Sequence, residues 1–437
     1  MKASLYVVLV LHVCWLMQDS FGQGAPHQTL DLESRIFTAS KIGALAEVNC
    51  DNSITRSDSQ RVISYQDYLH AVFAEGDRRV FDLATMEFLA GLNNGHTLFL
   101  DSWLNENYGR PMGFFAAPLE GKWVVQGSVL SGLKPGDVIA AIDDSSMQKF
   151  FERQQKYISA SSDRARRHNL FLFPYLFPDE FTLKLENGRA LPVNRAATKA
   201  PPLRTEGRWL KPTDTAYIRI PAFYPPAEDV ALDFLRQYQR AKVLVLDLRN
   251  NPGGIPPFRL IHVLMDRPYR NWKIAAPFRI PFLDAMPQAE KPAESGSMTE
   301  YARGYHDALA NLAGNAQLTW GGDSIAPGPG AYHGRLILLV DAGCVSACED
   351  FVMPFKDNRR ATLVGETTQG SAGLPHTYDF HNGMVVRIAD KRLLFPDGSE
   401  LEGMGMKPDV EAHPSIEDLS QGRDAVLQNA LELAETP

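Results

Sequence analysis

Apolar and polar positions change rhythm several times along the chain. From Asp31 to Leu100, apolar residues recur at helical spacing, as in "DYLHAVFAEGDRRVFDLATMEFLAGL", and no two-residue alternation interrupts them. A helical region is therefore expected. It ends at "NNGHTLFLD" (93–101), where Asn93, Asn94 and Gly95 break the helix and expose His96 at the start of a loop or strand. Between Pro111 and about Arg195 the runs become short and alternating: "GFFAAPL", "KWVVQGSVL", "DVIAAIDD" and "FTLKLENGRALPV". Glycine and proline turns separate them, which predicts a β module. After a Pro-rich connection (199–214), strand-like runs such as "TAYIRIPAF" and "KVLVLDLRNNPGG" interleave with helix-like "VALDFLRQYQRA" and "PFRLIHVLMD". Continuously apolar strands between helices predict an α/β layer with a largely buried sheet. Residues 285–333, rich in Pro, Gly, Ala and Ser around one helical patch, predict an insertion or lid over a site.

The first 22 residues have a different character. Lys2, an apolar stretch from Leu5 to Met17 and then small and polar residues, Ser20 and Gly22 among them, form the layout of a secretory signal peptide. About 13 apolar residues fall short of the ~20 that span a bilayer. The expected organisation is thus a signal peptide (1–22), a helical N-terminal region (23–105), a β module (106–198) and an α/β domain (199–437), with the product exported to the periplasm or secreted. A net charge of −8 without a long basic run argues against nucleic acid as a partner. Without a CxxC pair or an HExxH motif, no metal is expected. Three cysteines would remain after export, Cys50, Cys344 and Cys348. The number is odd and the pairing is open: Cys344–Cys348 would stiffen one turn, and Cys50–Cys344 would tie it to the helical region.

Two stretches carry chemistry. "KVLVLDLRNNPGG" (242–254) is a strand that ends in two glycines, whose N–H groups lie free of Cβ obstruction, as an oxyanion site requires. "CVSAC" (344–348) sets Ser346 where a strand gives way to a helix, so its hydroxyl can serve as nucleophile or as helix N-cap. These two, with "RRATLVGETTQGSAG" (359–373) and "LLFPDGSELEGMGMKPDV" (393–410), resemble in order the C-terminal processing peptidases, or tail-specific proteases, from about Tyr217 to Val410. Ahead of them, "SGLKPGDVIAAIDD" (131–144) resembles the core signature of a PDZ domain.

The resemblance implies an α/β, crotonase-like catalytic domain with a PDZ-like β module and the helical N-terminal region. It also implies roles. Ser346 matches the nucleophile, and the oxyanion would be held by Ala347 N–H with Gly253 or Gly254. The general-base lysine of the bacterial and plastid enzymes is replaced by Ser371, which cannot deprotonate a hydroxyl. The branch that resembles the tricorn core protease instead uses a histidine ahead of the PDZ-like region and a glutamate near the C-terminus, and these positions hold His96 and Glu402. An imidazole is suited to take and return the Ser346 proton, and a carboxylate to orient it. That branch places a relay serine beside the histidine where this chain has Gly95, so Glu402 would reach His96 directly, through water or through Ser371. Glu349 and Glu366 follow motif positions and are read as caps of a helix start and a turn, while His333, His376 and His381 match no motif. The expected protein is an exported serine endopeptidase acting on unstructured polypeptides or chain termini, without metal or organic cofactor, its oligomeric state left open. The rival expectation is a non-catalytic carrier of apolar ligands, a use to which interphotoreceptor retinoid-binding protein puts the same fold.

Overall fold

The computed structural model describes residues 29–49, 58–74, 76–198, 203–277, 317–373 and 375–435. The expected signal peptide, Cys50 and the helical patch at 299–313 lie outside them. Three helices come first: α1 (Leu32–Asn49), α2 (Asp58–Ala74) and α3 (Arg78–Ala90). They bury Ile42, Val72, Phe81 and Leu89 in a common core. Asp77 starts α3 by accepting the Val80 N–H at 3.0 Å. Among the described residues no helix is long and apolar enough to cross a membrane.

Strand β1 (Leu98–Asp101) and the short α4 (Ser102–Tyr108) follow the Asn-Asn-Gly-His turn. A buried pair, Arg78 with Asp101 at 2.6 and 2.7 Å, ties α3 to the end of β1. Next come β2 (Phe114–Leu119), β3 (Lys122–Ser128), β4 (Val138–Ile142), α5 (Met147–Gln154), α6 (Asp163–Asn169), β5 (Glu180–Leu185) and β6 (Ala190–Asn194). The strands form an antiparallel sheet in the order β2-β3-β4-β5-β6 over a core rich in Phe114, Phe151, Phe171 and Phe177. The two helices between β4 and β5 are additions to the strand-only expectation. Each is so short that its apolar stripe, Met147, Phe150 and Phe151 in α5, covers barely two turns and leaves no readable period.

The remainder runs β7 (Glu206–Lys211), β8 (Thr215–Arg219), α7 (Ala227–Gln237), β9 (Val243–Asp247), α8 (Phe258–Leu264), β10 (Lys273–Pro277), β11 (Gln317–Gly321), β12 (Arg335–Val340), α9 (Ala347–Asp357), β13 (Ala361–Gly365), β14 (Pro375–Asp379), β15 (Met384–Ala389), β16 (Arg392–Leu394), β17 (Val410–Glu411), α10 (Ile416–Gln421) and α11 (Ala425–Glu435). Its main sheet has the order β17-β13-β12-β9-β8-β7, parallel except for β7. Alternate residues of β9 feed two cores: Leu244 and Leu246 pack with α7, α8 and α9, whereas Val243 and Val245 pack toward Val426 and Ala430 of α11. Coverage of both faces explains the unbroken apolar run in the sequence. β10, β11 and β16 form a small antiparallel sheet, to which the described end of the 285–333 segment contributes β11.

Two features position the site. β9, β12 and β13 are adjacent and parallel, so the loops that leave their carboxyl ends converge, the usual place for a ligand in such a sheet. β1 pairs with β15, which pairs with β14, and so a strand from the N-terminal part is fixed beside those loops.

Candidate active site

Ser346 stands at the junction of β12 and α9 with φ 60° and ψ −129°, a left-handed backbone that a serine adopts only at a cost of about 1–3 kcal/mol. Its surroundings hold it there. The Ser346 N–H donates to Ser371 O at 2.9 Å and the Val345 N–H to Asn251 O at 3.1 Å. The buried Asp341 carboxylate joins the turn to the β9 loop by accepting the N–H groups of Asn250 (2.8 Å) and Gly343 (2.9 Å). Cys344 and Cys348 are disulfide-bonded across the serine, so Cys348 is neither a thiol nucleophile nor a free packing residue, and Cys344 is not paired with Cys50. Ser346 makes no side-chain cap to α9, which removes the N-cap reading.

The glycines after β9 lie against this turn. A Cβ on Gly253 would stand 2.6 Å from Ala347 N and 2.8 Å from Ser346 Cβ, so no other residue fits there. The two glycines are not equivalent. Gly253 N–H donates to Asn251 Oδ1 at 2.8 Å, so it is engaged, contrary to its expected role as a donor open to a ligand. Gly254 N–H and Ala347 N–H have no partner among the described residues; Ala347 follows Ser346 directly, and Gly254 follows the glycine packed against it.

His96 reaches the serine from the opposite side. Its Nε2 lies 2.9 Å from Ser346 Oγ, its Nδ1 lies 2.9 Å from Ser371 Oγ, and Ser371 Oγ donates to Glu402 Oε1 at 3.2 Å. An ionised carboxylate only accepts, so the Ser371 proton points to Glu402 and the His96 Nδ1–H points to Ser371. Nε2 is then left as an acceptor for the Ser346 hydroxyl. Of the three connections open from sequence, the one through Ser371 is formed. Gly95 makes it possible: a Cβ there would stand 2.7 Å from Ser371 Oγ and 3.1 Å from Ser371 Cβ. The hydroxyl comes from the β13–β14 connection and occupies the space that a side chain next to His96 would fill.

Burial sets the electrostatics. His96 is driven down to about 3, first by desolvation and then by the charge of Arg387, so its imidazole is neutral at physiological pH. Glu402 is pushed up to about 7 by burial, against hydrogen bonds from Ser161, Ala372 N–H (3.3 Å) and Ser371 that favour its anion. Asn94 Nδ2 donates to Glu402 Oε1 at 2.9 Å while its Oδ1 accepts His96 N–H at 2.8 Å. Ser161 accepts Gly95 N–H at 2.8 Å and donates to Glu402.

Sequence reasoning missed Asn94 and Ser161. Asn94 stood in the quoted turn next to His96, whereas nothing in "ISASSD" (158–163) marks Ser161. Arg164 was also missed. It donates to the carbonyls of Thr367 (2.8 Å), Thr368 and Gln369 (3.3 Å), and so clasps the connection that carries Ser371. Glu349 does not cap the start of α9 as expected. It turns inward and accepts Thr368 Oγ1 (2.5 Å), Gly370 N–H (2.8 Å) and Ser371 N–H (2.8 Å), because these buried donors have no water to bond. Glu366 caps no turn: its carboxyl accepts no hydrogen bond among the described residues. His333, His376 and His381 take no part in this network, and no cluster of His, Cys, Asp and Glu among the described residues could hold a metal ion.

Residues 214–256 and 287–412 match peptidase family S41. The chain is 30% identical over 169 residues to a probable CtpA-like serine protease of Staphylococcus aureus (strain COL), which is 39% of this chain and 27% of that protein. A probable CtpA-like serine protease of Staphylococcus haemolyticus (strain JCSC1435) is 28% identical over 178 residues, 40% of this chain and 29% of the relative. The chain thus spans less than a third of the length of these curated relatives. Among solved structures, mature CPAF superposes with a TM-score of 0.69 at 14% identity, covering 92% of this chain and 97% of that one. The photosystem II D1 C-terminal processing protease superposes with a TM-score of 0.52 at 18% identity, with the same coverage. Those likenesses show a common mixed α/β fold, and the matched segments make the α/β region of this chain similar to peptidase family S41.

Proposed function

We propose that the chain is a serine peptidase in which Ser346 is the nucleophile, His96 the general base and then acid, and Glu402 the carboxylate that supports His96 through Ser371. The observation that carries this reading is the unbroken chain of contacts from Ser346 Oγ to His96, Ser371 and Glu402, next to an Ala347 N–H that has no partner among the described residues. Ser346 Oγ attacks the scissile carbonyl carbon as its proton passes to His96 Nε2. The tetrahedral oxyanion is received by Ala347 N–H and Gly254 N–H. The imidazolium donates through Nδ1 to Ser371, whose own proton is held by Glu402, so the positive charge forms within reach of an anion. His96 then protonates the leaving amine, and water resolves the acyl-enzyme by the same steps reversed.

The α/β domain is read as crotonase-like and residues 106–198 as PDZ-like, the latter supported by the "SGLKPGD" turn between β3 and β4. The substrate is read as an unstructured polypeptide or a chain terminus, a reading supported by the resemblance of the ordered motifs to the C-terminal processing peptidases. Export is supported by the signal-like leader and by the disulfide, which is at home in an oxidising compartment.

A fluorophosphonate probe tests the reading. Labelling at Ser346, abolished in Ser346→Ala with the far-UV spectrum unchanged, is expected, together with a loss of peptidase turnover on the order of 10⁴ or more. A folded protein that takes no label overturns the assignment in favour of a carrier.

A further inference from the structure

We propose that Arg387 binds a substrate carboxylate on the leaving-group side of the scissile bond. The proposal rests on the peptidase reading above. Arg387 lies on β15, opposite Leu98 of β1 and Thr377 of β14. On the other face of these strands, Phe99, Val386 and Tyr378 pack into the helical core, so Arg387 projects from the face that turns away from it. His96 precedes Leu98 by two residues at the entry to the same strand. Tyr224 is the other neighbour whose ionisation feels the Arg387 charge, and its Cδ1 lies 3.2 Å from where a Cβ of Gly254 would stand. Arg387 is therefore bracketed by the base on one side and the oxyanion glycine on the other.

Its lack of a counter-charge sets it apart. The buried guanidinium of Arg78 is paired with Asp101, that of Arg195 with Asp179 and several carbonyls, and that of Arg360 with three carbonyls. Arg387, half-buried and with its pKa lowered by desolvation, has no hydrogen bond or ion pair among the described residues. An unpaired guanidinium withdrawn from water is costly unless an anion arrives to meet it. The cost has a catalytic side as well, because the Arg387 charge opposes protonation of His96, the event on which the reaction turns. A carboxylate brought by the substrate would pair with Arg387 and screen that opposition while the imidazolium forms. His96 must deliver its proton to the departing amine, so a group beside it runs along the departing segment. Two sources can supply the carboxylate, an acidic side chain just after the cleaved bond or the α-carboxylate of a short leaving peptide.

Matched fluorogenic peptides separate the outcomes. One pair differs only as Asp against Asn in the first positions after the cleaved bond, the other only as free acid against amide at the C-terminus. At least one pair is expected to favour the acid by about tenfold or more in kcat/KM, with part of the gain in kcat, and the pair that does so identifies the source. In Arg387→Met the acid-to-amide ratio should fall to about one, and Arg387→Lys should keep an intermediate ratio because the charge remains without the bidentate fork. Fluorophosphonate labelling of Ser346 in both variants reports an intact site. A wild-type enzyme indifferent to charge in both pairs, or a preference that survives in labelled Arg387→Met, overturns the proposal and leaves the peptidase reading standing. Absence of cleavage and of labelling in the wild type overturns the peptidase reading itself.

Discussion

A single hydroxyl connects His96 and Glu402 in this site, and its position depends on a neighbour without a side chain. Ser371→Ala should lower turnover by about 10²-fold or more while leaving fluorophosphonate labelling detectable, since Nε2 and Ser346 remain in place but the Nδ1 proton loses its acceptor. Gly95→Ala should cost a similar amount by displacing Ser371, because its Cβ would stand 2.7 Å from the hydroxyl. The two changes act on one contact, so the double variant should lose no more than the worse single one. Additive losses would show that Gly95 matters for another reason. Glu402 sets the pH dependence. With its carboxyl raised to about 7 and His96 lowered to about 3, the group that titrates near neutrality is the glutamate, not the histidine. The anion is the active form, so activity should rise with pH through about 7. In Glu402→Gln that limb should vanish and turnover fall by about 10²–10⁴-fold, while Glu400→Gln, which removes the pair with Arg392 and a charge that raises Glu402 slightly, should do neither and only move the limb a little toward lower pH. A limb that persists in Glu402→Gln would assign it elsewhere.

The elements that hold these residues are pinned by local devices. The turn around Ser346 carries a strained serine within a disulfide ring of only a few residues, bounded by Cys344 and Cys348. A ring so small restricts the unfolded chain by only about 2 kcal/mol in the loop-entropy account. Replacing both cysteines by alanine should therefore cost at most a few degrees in Tm. The larger effect should be on labelling rate, because the left-handed Ser346 backbone would no longer be braced from both sides. A large fall in Tm with an unchanged labelling rate would show that the bridge serves stability alone. On the opposite side, Arg164 of α6 and Glu349 of α9 grip the connection that carries Ser371. "SGLKPGD", "NNPGG" and "CVSAC" were legible because each is a compact turn whose residue types state its geometry. α5 and α6 were not, being too short to show a period.

Across the whole molecule, several carboxylates sit at the carboxyl ends of the sheet with little solvent. Asp341 and Asp350 are each pushed up to about 7 by burial, and Asp350 Oδ1 lacks a hydrogen-bond partner among the described residues. An acid whose folded-state pKa is raised binds its proton more tightly in the folded chain, so stability should be fully present near pH 4 and fall as pH rises toward 7. Over that window these acids should pull Tm down while the buried, neutral His96 pulls it up, and Asp350→Asn, which cannot ionise, should remove its share of the decline and stabilise the protein at pH 8 relative to wild type. An Asp350→Asn variant no more stable than wild type at pH 8 would contradict this account of the buried acids.

The sequence alone determined the element types of the α/β region, because these rest on local patterning, and it singled out Ser346, His96 and Glu402 as candidates through the resemblance of its ordered motifs to the processing peptidases. The tertiary structure decided what depends on distance through space. It joined His96 to Ser346 across 250 positions of chain and placed Ser371 in the gap beside Gly95. It engaged Gly253 with Asn251 while leaving Gly254 open, and drew Asn94 and Ser161 onto Glu402. No local pattern encodes such contacts, since each is made by side chains whose positions follow from the pairing of β1 with β15 and of β9 with β12.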